Sequence, residues 1–231
     1  MTLLRRLPGL LRDALLFELA LYRSLARWVA RRPDVPQGST PIGYSRLVAP
    51  MMWLWIFGST VEVVVVEVVL RHIDQPWAAA VRVPLLVLGI WGVAWMLGML
   101  ASLRVRPHLL TDTELRARSG ARTWLAVPLA AVESTRSAEH ELPGVIRSLH
   151  VDDDLALVGT GSRTNLELVL AGPTTMSTSQ GEVTVSRVGI WVDEPREIAA
   201  QLRPRLSTRG PTVPAAALGT TAPQRERPDR P

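Results

Sequence analysis

Residues 83–103 read VPLLVLGIWGVAWMLGMLASL and hold no ionisable side chain. At ~1.5 Å rise per residue this run reaches about 32 Å as a helix, enough to cross a hydrocarbon core of ~30 Å. The alternative is a core helix of a soluble protein, but so long an uncharged run is rare there. Pro84 stands near its start, where a missing N–H costs little. Just upstream, residues 47–70 read LVAPMMWLWIFGSTVEVVVVEVVL, with only Glu62 and Glu67 charged. Valine is a poor helix former in water, yet in lipid the backbone must satisfy its own hydrogen bonds, which forces helix.

The short segment between the runs, RHIDQPWAAAVR, implies a helical hairpin with both termini on one side. Arginine placement orients it. Arg31, Arg32, Arg46, Arg104, Arg106, Arg116 and Arg118 flank the terminal side, against Arg71 and Arg82 in the loop. The expected topology is a multi-pass protein of the cell membrane with both termini cytoplasmic. Trp53 and Trp55 belong at the inner interface and Trp77 at the outer one. No cleavable signal peptide is visible, because the apolar stretch after Arg5 and Arg6 is broken by Arg12, Asp13 and Glu18.

The formal charge of the 231-residue chain is +5, and all 26 basic residues are arginine. The excess lies in residues 1–46, ahead of the first apolar run, so it is no nucleic-acid footprint spread over a folded domain. Cysteine is absent, which excludes disulfides, thiolate metal sites and cysteine nucleophiles.

Residues 8–32 (PGLLRDALLFELALYRSLARWVARR) have helical amphipathicity, with Pro8 suited to a first position. Arg12, Asp13, Arg23, Ser24, Arg27 and Arg31 fall on one face. Leu7, Leu11, Leu15, Leu21, Leu25, Trp28 and Val29 fall on the other. The helix either lies in the bilayer interface, with Arg12, Arg23, Arg27 and Arg31 on anionic headgroups, or packs on the protein itself. Glu18 in the apolar stripe, one turn from Tyr22, points to a specific partner. Residues 33–38 read as a linker.

Glu62 falls near the middle of the first run, where a carboxylate costs ~2.5–3.5 kcal/mol on insertion scales. It is either a functional proton or cation site or a structural hydrogen bond within the hairpin. Antiparallel pairing predicts Trp91 or Trp95 as its donor, with Ser59 and Thr60 as further candidates. Glu67 is expected to pair with Arg71 at i,i+4. Ala94, Gly98 and Ser102, spaced by four, form a small-residue stripe for close packing on the first span or on a second copy.

After residue 103 the period shortens. Alternating segments at 109–110, 114–119, 123–127, 132–136, 146–151, 155–159, 165–171 and 183–192, punctuated by glycines, predict a mostly-β module. Residues 194–206 predict a closing helix docked by Ile198 and Leu202. Residues 209–231, with five prolines, predict a disordered tail.

The stretch LLTDTELRARSGARTWLAVPLAAVESTRS, with the closing VGIWVDEPREIAAQLR, resembles bacterial pleckstrin-homology-like domains. The whole chain also resembles uncharacterised actinobacterial two-span membrane proteins, through FELALYRSLARWVARRPDVP and ASLRVRPHLL. The resemblance implies a two-sheet sandwich capped by a C-terminal helix, and it implies no phosphoinositide ligand. The expected fold class is therefore an α+β membrane protein. Its parts are an amphipathic helix and linker (1–46), a transmembrane hairpin (47–103, spans 47–70 and 83–103), a cytoplasmic pleckstrin-like β domain (104–208) and the tail (209–231).

No Ser-His-Asp grouping, carboxylate pair or cofactor fingerprint is present. His150 with Asp152-Asp153-Asp154 reads as a surface turn. Gly159-Thr160-Gly161-Ser162-Arg163 reads as a hairpin turn and lacks the spacing of a phosphate loop. The expectation is a non-catalytic protein with no metal or cofactor. Its partners would be membrane lipids and a protein, or a second copy met through the hairpin. The alternative is an accessory subunit of a transport or ion-coupled system using Glu62.

Overall fold

A computed structural model describes residues 2–144 and 148–207. It is an α+β chain, with three long helices, a large mostly antiparallel sheet and a closing helix. Helix α1 runs Thr2–Val29, α2 Ala49–Arg71 and α3 Pro76–Val105. The expected 209–231 tail, the start of the 146–151 segment and the side chain of Leu7 lie outside the described residues. Pro8 lies inside α1 rather than at its start.

Both apolar runs are helical, and α2 and α3 are long and apolar enough to cross a membrane. Their most apolar windows are only 6% and 11% buried, unlike a core helix of a soluble protein. The connection is shorter than the sequence implied. Pro76 takes the first helical position of α3, where its fixed φ is favourable. Arg82 and Pro84 therefore sit inside the helix.

Helix α3 is the central one. Gly89 meets α2 so closely that a Cβ there would stand 2.5 Å from Val63 Cγ2. On another face, Gly98 meets the backbone and Cβ of Leu21 of α1. The small-residue stripe thus seats α1, a helix the sequence had not paired with it. Gly98 and Ser102 are buried and Ala94 is half-buried.

The β module contains β1 (Thr40–Ile42), β2 (His108–Leu110), β3 (Glu114–Ser119), β4 (Thr123–Pro128), a 3-10 turn (Leu129–Ala131) and β5 (Val132–Arg136). It continues with β6 (His140–Glu141), β7 (Leu149–Asp152), β8 (Leu155–Val158), β9 (Arg163–Thr164), β10 (Leu166–Thr178), β11 (Gly181–Ile190) and α4 (Pro195–Ser207). The main sheet runs β1-β2-β3-β4-β10-β11-β8-β7, with β5 also on β10 and β6 paired with β9 apart. Every pairing is antiparallel except β8 with β11.

One strand holds the sheet together because it bends. Strand β10 pairs with β5 at its start and with β4 at its end, and its register to β11 slips between Val169 and Thr174. Gly172-Pro173 lies at that slip, where proline's missing donor is tolerated. The strand runs through the pair despite the proline. The sheet consequently curls over a single core. Leu115, Leu125, Leu166, Leu168 and Ile190 meet Ile198 and Leu202 of α4, the docking pair expected from sequence.

Strand β1 is a correction to the domain boundary. Residues 33–46 are no free linker, because β1 pairs with β2 and Ile42 enters the β core. A three-residue strand containing Pro41 leaves no alternation to read.

Candidate functional site

The sequence pointed to the helices, and the structure redistributes their polar groups. Glu18 has the specific partners its position demanded. Its Oε1 accepts from Tyr22 Oη and from Trp91 Nε1, each at 2.9 Å. Trp95 packs against Phe17, ring centroids 6.5 Å apart. Trp91 and Trp95 therefore serve α1, and neither is the donor expected for Glu62.

Glu62 stays exposed, with no hydrogen bond or ion pair among the described residues. It lines a groove of about 270 Å³ between α2 and α3 with Ser59, Val63, Gly89 and Gly92. Thr60 is turned to its own helix and donates to Ile56 O at 2.7 Å. The groove ends at an ion pair between Glu67 and Arg82, 3.2 Å apart across the two helices. This replaces the expected Glu67–Arg71 pair. Once α3 starts at Pro76, Arg82 sits opposite Glu67.

On α1, Phe17, Leu21 and Trp28 meet α3. Leu21 and Ser24 are buried, so Ser24 leaves the polar face assigned to it. Leu11, Leu15 and Leu19 remain exposed as a separate apolar stripe. At 100° per residue this stripe borders Arg12, Arg23 and Arg27.

Where helices and sheet meet, Asp34 is the hub. Its N–H donates to Val105 O at 2.8 Å. Its carboxylate lies 2.9 Å from Arg27 and 3.5 Å from both Arg106 and Arg118. One aspartate thus ties α1, α3 and β3 together. Beside it, the ring of Tyr44 stacks on His108 at 4.5 Å, both fully buried. Tyr44 Oη accepts the Gly120 N–H at 3.1 Å. Burial pushes the Tyr44 phenol up to about 12 and His108 down to about 4. The neutral ring fits its bonds: Nδ1 accepts the Arg118 N–H and Nε2 donates to Trp191 O. Sequence reading missed Asp34 and Tyr44, since single residues in a proline-rich segment carry no periodic signal.

Two hairpin tips reach the helix ends. The β3–β4 turn sits against Ser102, and the turn at Gly161-Ser162 touches Val48 and Leu47. The latter is the expected hairpin: Thr160 and Arg163 exchange both backbone bonds, with φ near +60° at Gly161 and Ser162. Between the tips and the helices opens a cleft of about 1480 Å³. Phe17, Met52, Met99 and Leu103 line one wall, and Arg122, Thr160, Ser179 and Gln180 the other. Thr160 Oγ1 is buried there without a partner.

The remaining polar clusters are closed. Glu167 is fully buried, with Arg136 at 2.6 Å and His140 at 2.6 Å, so both its oxygens are occupied. Asp153 and Asp154 form the β7–β8 turn, Asp154 paired to Arg187 at 2.8 Å. Arg187 holds the Asp154 carboxyl below its usual range. Among the described residues no three His, Asp or Glu converge to hold a metal. Comparison with family models, curated proteins and solved structures finds no match.

Proposed function

We propose that this chain is a non-catalytic integral membrane protein. A two-helix hairpin crosses the cell membrane, both termini lie in the cytoplasm, and a pleckstrin-like module is held at the inner surface to recruit a protein partner. The apolar surface left open on α2 and α3 carries the reading. Leu54, Phe57, Val64, Val68, Leu88 and Ile90 are all half exposed or more, a state water would oppose at about 25 cal/mol per Å². Two supports are secondary. The curled sheet with α4 over its core suits the sandwich implied by the resemblance. The cleft at the hairpin tips faces the helix ends, so whatever the module recruits is met at the bilayer surface.

Alkaline carbonate extraction tests insertion: the chain should stay with the membrane pellet, and its release would overturn the reading. A reporter fused after Pro231 tests orientation, with activity outside the cell the contrary result. Recruitment is tested by comparing proteins captured by the full chain and by its Arg122→Glu variant at the cleft. If only substitutions on α2 and α3 changed the capture, the module would not be the recruiter.

A second reading rests on Glu62, which faces the α2–α3 groove without a partner. An ion-coupled accessory role predicts that Glu62→Gln keeps expression and abolishes a proton- or ion-dependent phenotype. Loss of expression would make Glu62 structural.

A further inference from the structure

Helix α1 ends in an unusual way. Arg31 N–H bonds to Trp28 O at 3.0 Å and Arg32 N–H to Arg27 O at 2.9 Å, the double bond of a Schellman cap. The left-handed residue of that cap is ordinarily glycine, yet here it is Arg31, at φ +53°. A strained non-glycine at a helix end points to a use for its side chain.

Around this cap lies a pocket of about 520 Å³, lined by Arg27, Arg31, Arg32 and Arg104 with Trp28 and Val29. Arg27 is paired with Asp34, a carboxylate that Arg106 and Arg118 share. Arg31, Arg32 and Arg104 have no carboxylate partner among the described residues. Arg104 instead lies over the Trp28 ring, 5.9 Å from its centroid. Three unpaired guanidinium groups in one pocket repel one another and call for an anion. Guanidinium forks suit phosphate, and arginines are drawn to an anionic surface. The apolar side is open as well: Val29 is 76% exposed.

We infer that this pocket is a specific site for the phosphate of an anionic membrane lipid, one molecule per chain, with the acyl chains passing over Val29. The inference rests on the membrane reading above for its lipid, but the pocket's phosphate chemistry does not.

The test uses the full chain in detergent. Native mass spectrometry with phosphatidylglycerol and phosphatidylcholine reads retained lipid. The pocket should keep one phosphatidylglycerol and release phosphatidylcholine, and the Arg31→Ala/Arg32→Ala double variant should retain it about tenfold less. Arg163→Ala/Arg196→Ala removes two exposed arginines of the β module outside the pocket and should leave retention unchanged. Arg31→Gly guards against misfolding, because glycine suits the cap while removing the guanidinium. It should fold and still lose lipid. Equal loss in both double variants, or no preference between the lipids, would overturn the site. A parallel titration of delipidated protein with inorganic phosphate separates the sources. Phosphate binding that is lost in Arg31→Gly supports the pocket's chemistry. If lipid is not retained while phosphate binds, the lipid assignment falls. Release by carbonate would sink the membrane reading alone, leaving the phosphate titration to judge the pocket.

Discussion

The helical layer and the β module are both rich in large apolar side chains, and they dispose of them oppositely. In the module, Leu125, Leu166, Leu168, Val188 and Ile190 are at most 1% exposed and face one core. In α2 and α3, Leu54, Trp55, Phe57, Val87 and Leu88 are more than half exposed. The polar groups invert too. The module satisfies its buried carboxylate Glu167 from its own strands, Arg136 of β5 and His140 of β6. The helices leave Glu62 open and satisfy Glu18 from Tyr22 of α1 itself and from Trp91 once α1 lies against α3. One region is organised by excluding water from its interior. The other is organised by a few close contacts at Gly89 and Gly98, with its apolar exterior left uncovered.

That contrast can be broken by mutation. Leu168→Ala in the sheet should cost about 2–5 kcal/mol in urea unfolding of the detergent-solubilised chain, from lost burial plus a cavity. Val87→Ala on the exposed side of α3 should change the same measurement by no more than about 0.5 kcal/mol. Similar costs at the two positions would mean α3 is a core helix and the comparison is wrong.

Acid should act on the module through His108. Its folded value of about 4 lies below the unfolded one of ~6.5, so the unfolded chain takes up a proton first as pH falls. Stability from this group is complete above pH ~6.5 and declines toward pH ~4, by about 3 kcal/mol. His108→Gln should flatten that part of a stability-against-pH curve. An unchanged slope would show that His108 is not buried neutral.

Smaller effects sharpen the account of the helices. Glu18→Ala leaves Trp91 Nε1 and Tyr22 Oη without their acceptor and should cost about 1–3 kcal/mol, with a shift in tryptophan emission. Smaller again, and opposite in sign, Arg31→Gly should raise thermal stability by about 1 kcal/mol by relieving the left-handed backbone. A loss of stability would mean the guanidinium braces the cap.

Much of the architecture was legible because it is periodic or extreme in composition. The uncharged run at 83–103 announced α3, and two-residue alternation announced β3, β4, β5, β8 and β11. Ile198 and Leu202, one turn apart, announced the face of α4. The short strand β1, the continuation of β10 through Pro173 and the early start of α3 carried no such period. The candidate site was half legible. Glu18 was flagged for a partner and Glu62 for its depth, but the partners could not be assigned.

From the amino-acid order alone came the element types, two helices of spanning length, and arginine gathered on one flank of them. These follow from local backbone preference and from the solvent each face tolerates, which neighbouring residues already decide. Only the tertiary arrangement chose which face of α3 holds α1, placed Asp34 among three arginines, and set Arg31 beside Arg104. Such pairings join residues tens of positions apart, and their energies depend on distances of a few ångströms that no local pattern encodes.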